Sequence, residues 1–289
     1  MNIKAALFLA LAVVTIGYVA YWVFRARHSQ DSELRPRWSH GALGFVTNFL
    51  DALGIGSFAP TTSVFKLRQM VPDEKIPGTL NVGHALPTIA QAFIYIAILE
   101  VSMETLALMI GASVAGAWLG AGIVASWPRR NVQIGMGAAL LAAGTFFVMT
   151  NLGLFPSGGN TLDLTGGRLT LGLAGNAVLG ALMTLGIGLY APCMILVSVL
   201  GMNPKAAFPI MMGSCAFLMP VGGIRFISKG SYSLGPAIGL ALGGVPGVLV
   251  AAFIVKSLPL ETVRWLVVVV VLYAAAAMLY SAYSEKKES

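Results

Sequence analysis

Apolar residues run in long blocks along the chain, and most blocks are of bilayer length. A helix needs about 20 predominantly apolar residues to cross the hydrocarbon core of a membrane. Blocks of this kind occupy Ile3–Phe24, Gly78–Leu99, Thr105–Ser126, Val132–Thr150, Ala206–Ile227, Leu234–Val255 and Val263–Tyr283, and each predicts a membrane span. Two further apolar stretches, around residues 40–70 and 170–201, are interrupted by glycine and proline. The polar stretch Asn151–Arg168 is the longest connector inside the apolar region and divides the chain. The first block is too long for the apolar core of a signal peptide. It ends in bulky Tyr21, Trp22 and Phe24, so it predicts a retained span.

The two parts of the chain repeat. GIGSFAP at Gly54–Pro60 returns as GIGLYAP at Gly186–Pro192, five of seven positions identical. Lys75 with Lys205, Gly83 with Gly213, Ser126 with Ser257 and Pro128 with Pro259 follow in the same order. Duplication of this kind builds many transporters, with sites at the repeat interface. Charge decides whether the GIG…AP segments cross the membrane or turn back. If both turn back, 13 of the 18 basic residues share one side, among them Arg25, Lys66, Arg130 and Lys229. Lys4, Arg168, Lys205, Lys256 and Arg264 lie opposite. Full crossing divides the basic residues evenly. Cytoplasmic connectors are enriched in Lys and Arg, so the re-entrant reading is preferred. It leaves three crossings per repeat, an odd number, and so makes the repeats inverted.

The expected fold is therefore an all-α polytopic membrane protein. An extra N-terminal helix and basic linker (1–38) precede the first repeat (39–150). A connector (151–168), the second repeat (169–284) and a short tail (285–289) complete it. Each repeat holds a broken re-entrant hairpin and three transmembrane helices.

Composition agrees. Hydrophobic residues make up 57% of 289 and charged residues 10%, with a mean hydropathy of +0.83. A soluble domain carries about 25% charged residues, so this surface is built to face lipid. The excess of 18 Lys+Arg over 11 Asp+Glu sits in short connectors, which reads as membrane topology rather than a nucleic-acid partner. Cys193 and Cys215 lie in apolar stretches with no CxxC spacing or nearby His cluster, which predicts neither a metal site nor a disulfide framework. No Walker loop, HExxH or nucleophile-elbow pattern occurs, so neither an enzyme nor a cofactor is expected. Without a nucleotide site, active transport must draw on an ion gradient.

The candidate chemistry centres on the repeated turns. Glycines at Gly54, Gly56, Gly186 and Gly188 free the backbone, while Pro60 and Pro192 suit the first turn of a new helix. A helix N-terminus at mid-membrane presents unpaired N–H groups and the positive dipole end, which suits an anion. Ser57, Thr61, Thr62 and Tyr190 are candidate side-chain donors there. One such segment alone reads as a kinked, glycine-packed helix; the matched pair reads as a site. Asn81, His84, Thr88, Gln91 and Tyr95 are spaced 3, 4, 3, 4 and share one helical face. That stripe either lines a pathway or bonds helices together. The second half offers Ser214 at the position matching His84. His84 is a candidate proton carrier or a neutral hydrogen-bonded group. Asp51 is the other candidate for proton coupling, or else a solvated cap.

These turns, with DALGIGSFAPTTSVFKL, IPGTLNVGHALP and GAWLGAGIVASWPRR, resemble the TauE/SafE family of permeases, the sulfite exporters. The resemblance covers roughly residues 40–283 and leaves the first span as an extra. It implies export of a small sulfur-containing anion, sulfite or an organosulfonate, across a plasma membrane (the bacterial inner membrane), coupled to protons. It carries over Gly54, Gly56 and Pro60 and their counterparts Gly186, Gly188 and Pro192. The family's turn commonly reads GIGGG; Ser57 and Leu189 replace its next glycine here and border the expected site. The expected partners are the anion, protons and membrane lipid, with a homo-oligomer left open. The competing reading is a membrane sensor or assembly partner that keeps a transporter fold without transporting. The polar stripe and matched turns argue against it, because a scaffold needs neither.

Overall fold

The computed structural model describes residues 3–28, 35–98, 100–253 and 261–288. They form helices α1 (Ile3–Arg27), α2 (Trp38–Ala52), α3 (Phe58–Leu67), α4 (Ile76–Gly83), α5 (Ala85–Ile98) and α6 (Met103–Val124). These are followed by α7 (Arg129–Asn151), α8 (Gly166–Met183), α9 (Tyr190–Val199), α10 (Ala207–Lys229), α11 (Leu234–Phe253) and α12 (Glu261–Glu288). Among the described residues there is no strand, only an isolated bridge between Thr161 and Met202. The described parts of all seven apolar blocks fall in helices, and among the described residues seven helical stretches are long and apolar enough to cross a membrane. Leu99, Val255, Lys256, Ser257 and Pro259 lie outside the described residues.

One expected span is broken. Pro87 has no N–H to give the Gly83 carbonyl, and its ring crowds that carbonyl, so the run divides at His84 into α4 and α5. Each half then follows one plan. A helix leads into a glycine turn and a 10-residue helix (α3, α9), then a 3₁₀ turn (Asp73–Lys75, Pro204–Ala206), then the remaining long helices.

The halves interlock. In each hairpin the longer arm packs on a helix of the other half, α2 on α11 and α8 on α6. Both contacts are close enough for backbones to touch. A Cβ added at Gly243 would lie 1.9 Å from the Gly41 carbonyl oxygen, and one at Gly116 would lie 1.8 Å from that of Ala177. Only glycine allows such approach, the usual device where lipid removes the hydrophobic drive between helices. α7 and α12 pair across the same division, and α1 docks on α10 through Tyr18 against Gly223.

The outer surface is apolar. Ile16, Leu119, Leu242 and Phe253 are 67–70% exposed, whereas Thr61, Asn81, His84, Gln91, Asn176 and Ser214 are fully buried. Large apolar side chains left exposed around an interior that also holds polar groups fit a lipid-facing exterior. The two ends of the bundle differ. At one end Ser231 donates to the Ala125 carbonyl (2.8 Å), Arg25 to that of Ser228 (3.4 Å) and Lys229 to that of Gly122 (2.9 Å). At the other end Lys4 donates to the Ala97 carbonyl (3.0 Å), and the Ser102 N–H to that of Leu162 (2.9 Å).

Candidate functional site

The GIG turns break the helices where the sequence places the glycines. Gly54 and Gly56 have φ of +88° and Gly186 of +101°, a region that L-residues with side chains avoid. The Gly54 N–H closes α2 on the Asp51 carbonyl (2.9 Å), and the Gly186 N–H closes α8 on that of Met183 (2.9 Å). New helices then start at Phe58 and Tyr190, with Pro60 and Pro192 in their first turns. The first N–H groups of a helix have no intrahelical partner. Phe58 and Ala59, and Tyr190 and Ala191, therefore head α3 and α9 with donors directed toward the turns.

The two turns meet. A Cβ at Gly54 would lie 3.1 Å from the Tyr190 hydroxyl oxygen. Two small cavities flank the junction, and Gly56, Phe58, Gly188 and Tyr190 line both. The first, ≈ 40 Å³, adds Gly54, Ala59 and Ala191, and is closed by Ala143, Phe146, Phe147 and Thr150 of α7. The second, ≈ 30 Å³, adds Asp51, Ser57, Thr88 and Leu189, and is closed by Met183, Met211, Met212 and Cys215. Each has room for only two or three water-sized groups.

The polar stripe faces the arm of the first turn. Gln91 Nε2 donates to Asp51 Oδ2 (3.0 Å), and the Tyr95 hydroxyl donates to the Ala52 carbonyl at the end of α2. Asp51 thus lies within α2 and is held by a neighbouring helix. His84 stands apart, fully buried at the α4–α5 break. Its Nε2 lies 3.1 Å from Thr61 Oγ1, and its Nδ1 lies 2.9 Å from Asn48 Nδ2, which also donates to the Gly44 carbonyl (2.8 Å). Neutral groups occupy both ring nitrogens.

Of the expected site residues, Gly54, Gly56, Ser57, Gly188, Tyr190 and Asp51 come together at the junction. Pro60, Pro192 and Gly186 shape the turns without lining either cavity. Thr61 and Thr62 lie about one helical turn farther along α3, in the packed interior. Thr61 is engaged with His84, and Thr62 Oγ1 is enclosed without a protein partner. Asn81 donates to the Pro77 carbonyl in its own helix (2.9 Å), and Ser214 accepts from Asn176 (3.1 Å). Asn48 and the α7 aromatics were not foreseen, whereas Thr88 of the polar stripe does line a cavity. For Asn48 a signal existed: an amide in an apolar arm, one turn before Asp51. No cluster of three or more His, Cys, Asp or Glu suited to a metal occurs among the described residues.

Seven apolar helical stretches among the described residues and an apolar exterior define a multi-pass membrane protein. A family model described as sulfite exporter TauE/SafE matches residues 2–147, just over half of the chain. The chain belongs to the TauE/SafE sulfite exporter family, a family of transporters. The matched region takes in α1, which the sequence resemblance set apart, and ends within α7. Comparisons with curated proteins and with solved structures gave no match.

Proposed function

We propose that this protein is a secondary transporter that exports a small sulfur-containing anion, sulfite or a small organosulfonate, across the plasma membrane (the inner membrane of a bacterium). The observation that carries the reading is the junction itself: two helix N-termini, one from each half, converge on shared cavities. Helix-end attraction is worth roughly 0.3–1 kcal/mol when exposed and up to about 2 kcal/mol when partly buried. Two ends hold a small anion firmly enough to select it and weakly enough to release it. The size of the cavities favours a compact oxyanion over a bulky one.

In this reading the hairpins α2–α3 and α8–α9 are re-entrant and the halves, 39–150 and 169–284, are inverted repeats. Support comes from the helix lengths. At 1.5 Å per residue, the 10-residue α3 and α9 each span roughly 15 Å, half of a hydrocarbon core about 30 Å thick. Helices of that length fit turns at mid-depth. α3 leads back to the end of the bundle where α11 starts, whereas α9 leads back to the end where α6 starts. The end holding Arg25, Lys66, Arg129, Arg130 and Lys229 is the cytoplasmic one.

Asp51 is the proton-coupling group in this reading, and His84 is a positioning residue. Asp51 lines the cavity, so a bound anion and an ionised Asp51 would repel one another across a few ångströms. Uptake of a proton by the carboxyl relieves that repulsion, which links the two bindings. His84 touches neither cavity; through Thr61 it braces α3. Counterflow of radiolabelled sulfite in liposomes tests the proposal. Purified protein that exchanges neither sulfite nor a small organosulfonate refutes it.

A further inference from the structure

At the end of the bundle holding Lys66 and Arg129, a cavity of ≈ 810 Å³ opens between α3, α7, α12 and the start of α11. It is far larger than either cavity at the turns. Its lining includes Lys66, Lys75 and Arg129 against one carboxylate, Asp73. That carboxylate is already engaged. Asp73 Oδ2 accepts from Lys66 Nζ (2.7 Å) and Gln133 Nε2 (2.9 Å), and Arg129 Nη2 lies at 3.6 Å. Lys66 also donates to Ser281 Oγ of α12 (3.0 Å). The enclosed Lys66–Asp73 pair, 13% and 7% exposed, cancels its own charge and pins α3 to α12. Arg129 is 56% exposed, and among the described residues its second partner is the distant Glu74 (3.9 Å), which does not line the cavity. Lys75 has no carboxylate partner among the described residues. The surplus in the cavity is therefore positive and faces water. A low-dielectric cleft lined by one sign of charge raises the local concentration of counter-ions roughly tenfold or more. α3 runs from this cavity to the turn at Phe58, roughly 15 Å away.

We propose that this cavity is a loading vestibule for small oxyanions, a second and weaker anion site at which Lys75 and Arg129 gather the substrate before it reaches the turns. The proposal rests on the transport reading above. The guanidinium of Arg129 offers a planar fork to two oxygens of an –SO₃ group, and Lys75 supplies a second, mobile charge. Lys66 takes no part in binding, because Asp73 and Ser281 occupy it.

The test uses Leu67→Cys, at an exposed position that lines the cavity. The full chain is labelled with a sulfonate-bearing and with an ammonium-bearing thiol reagent, and each rate is divided by that for a free thiol. Cys193 and Cys215 are buried, so unsubstituted protein supplies the blank. The expected result is a preference of roughly tenfold for the anionic reagent, lost in high salt and reduced severalfold by Lys75→Gln with Arg129→Gln. Sulfite should slow the labelling. In liposomes the double variant should raise KM for sulfite severalfold and leave kcat unchanged. Equal reagent rates, or an unaltered KM at low salt, overturn the vestibule even if transport is intact. A wild-type protein that keeps the reagent preference but carries no sulfur anion supports the vestibule and refutes the transport reading instead.

Discussion

Gly56 and Gly188 occupy matching positions in the two turns, yet substitution should affect them through different physics. Nothing lies within 4 Å of a Cβ added at Gly188, and its φ is not positive, so a side chain fits there without backbone strain. Gly188 also lines both cavities at the junction. The side chain of Gly188→Leu therefore enters the space assigned to the anion, ≈ 40 and ≈ 30 Å³, and shields both helix ends. Losing one partly buried helix-end interaction of about 2 kcal/mol weakens binding roughly thirtyfold. The added Cβ meets no packed atom and the backbone is unstrained, so the loss should appear in binding more than in stability. Gly56→Ala meets only Asp51 Oδ1 at 4.0 Å, but it must hold a φ of +88°. That strain costs roughly 1–2 kcal/mol and should appear as a lower unfolding temperature with residual transport. Sulfite counterflow and thermal unfolding of both purified variants separate the two effects. A Gly188→Leu protein that transports sulfite at the wild-type rate refutes the anion site at the junction.

Other expectations follow from the same geometry. Asp51→Asn should abolish accumulation driven by a proton gradient while sulfite exchange persists; intact coupling removes Asp51 from the mechanism. His84→Ala leaves Asn48 and Thr61 without their shared partner inside the bundle, and should destabilise the protein by about 1–3 kcal/mol. Thr61→Val should reproduce only part of that loss, because Asn48 keeps its bond to Nδ1; both are read by thermal unfolding. Cysteines placed at Arg35 and Arg68, on either side of the first hairpin, should be labelled from the same face of the membrane. Labelling from opposite faces rules out the re-entrant first hairpin.

The spans and the two broken segments were legible because their signals are local. Run length gives a span, and a glycine–proline turn gives a break, whatever the rest of the chain does. The break at His84 was equally local, carried by Pro87, although the apolar run around it reads as continuous. Helix pairing was not legible. The contacts of α2 with α11 and of α6 with α8 depend on glycines, and 34 glycines distribute that signal over the whole sequence. At the candidate site, the sequence located the turns but treated Thr61 and Thr62 as part of the cavity. Spacing along a helix shows which face a residue occupies, not how far along the helix the open space extends. Gly56 and Gly188 look equivalent in the repeat, yet only Gly56 needs the positive φ. Lys75 entered through the repeat and the charge count and Arg129 through the charge count, neither as a site, because their shared cavity forms from segments far apart in sequence.

The crossing of each hairpin's long arm onto the opposite half governs how the protein can be made. Gly41 leaves the ribosome long before Gly243, the residue its backbone must touch, so the first hairpin enters the membrane before its seat exists. Such distant pairings close late, after a large loop has been paid for in entropy. A first half on its own would present a bare glycine seam with nothing to fill it. The surface that fits is a second half, whether from the same chain or from a neighbouring copy. Half-chains 1–152 and 153–289 made together should therefore be recovered as one complex, and neither should accumulate alone.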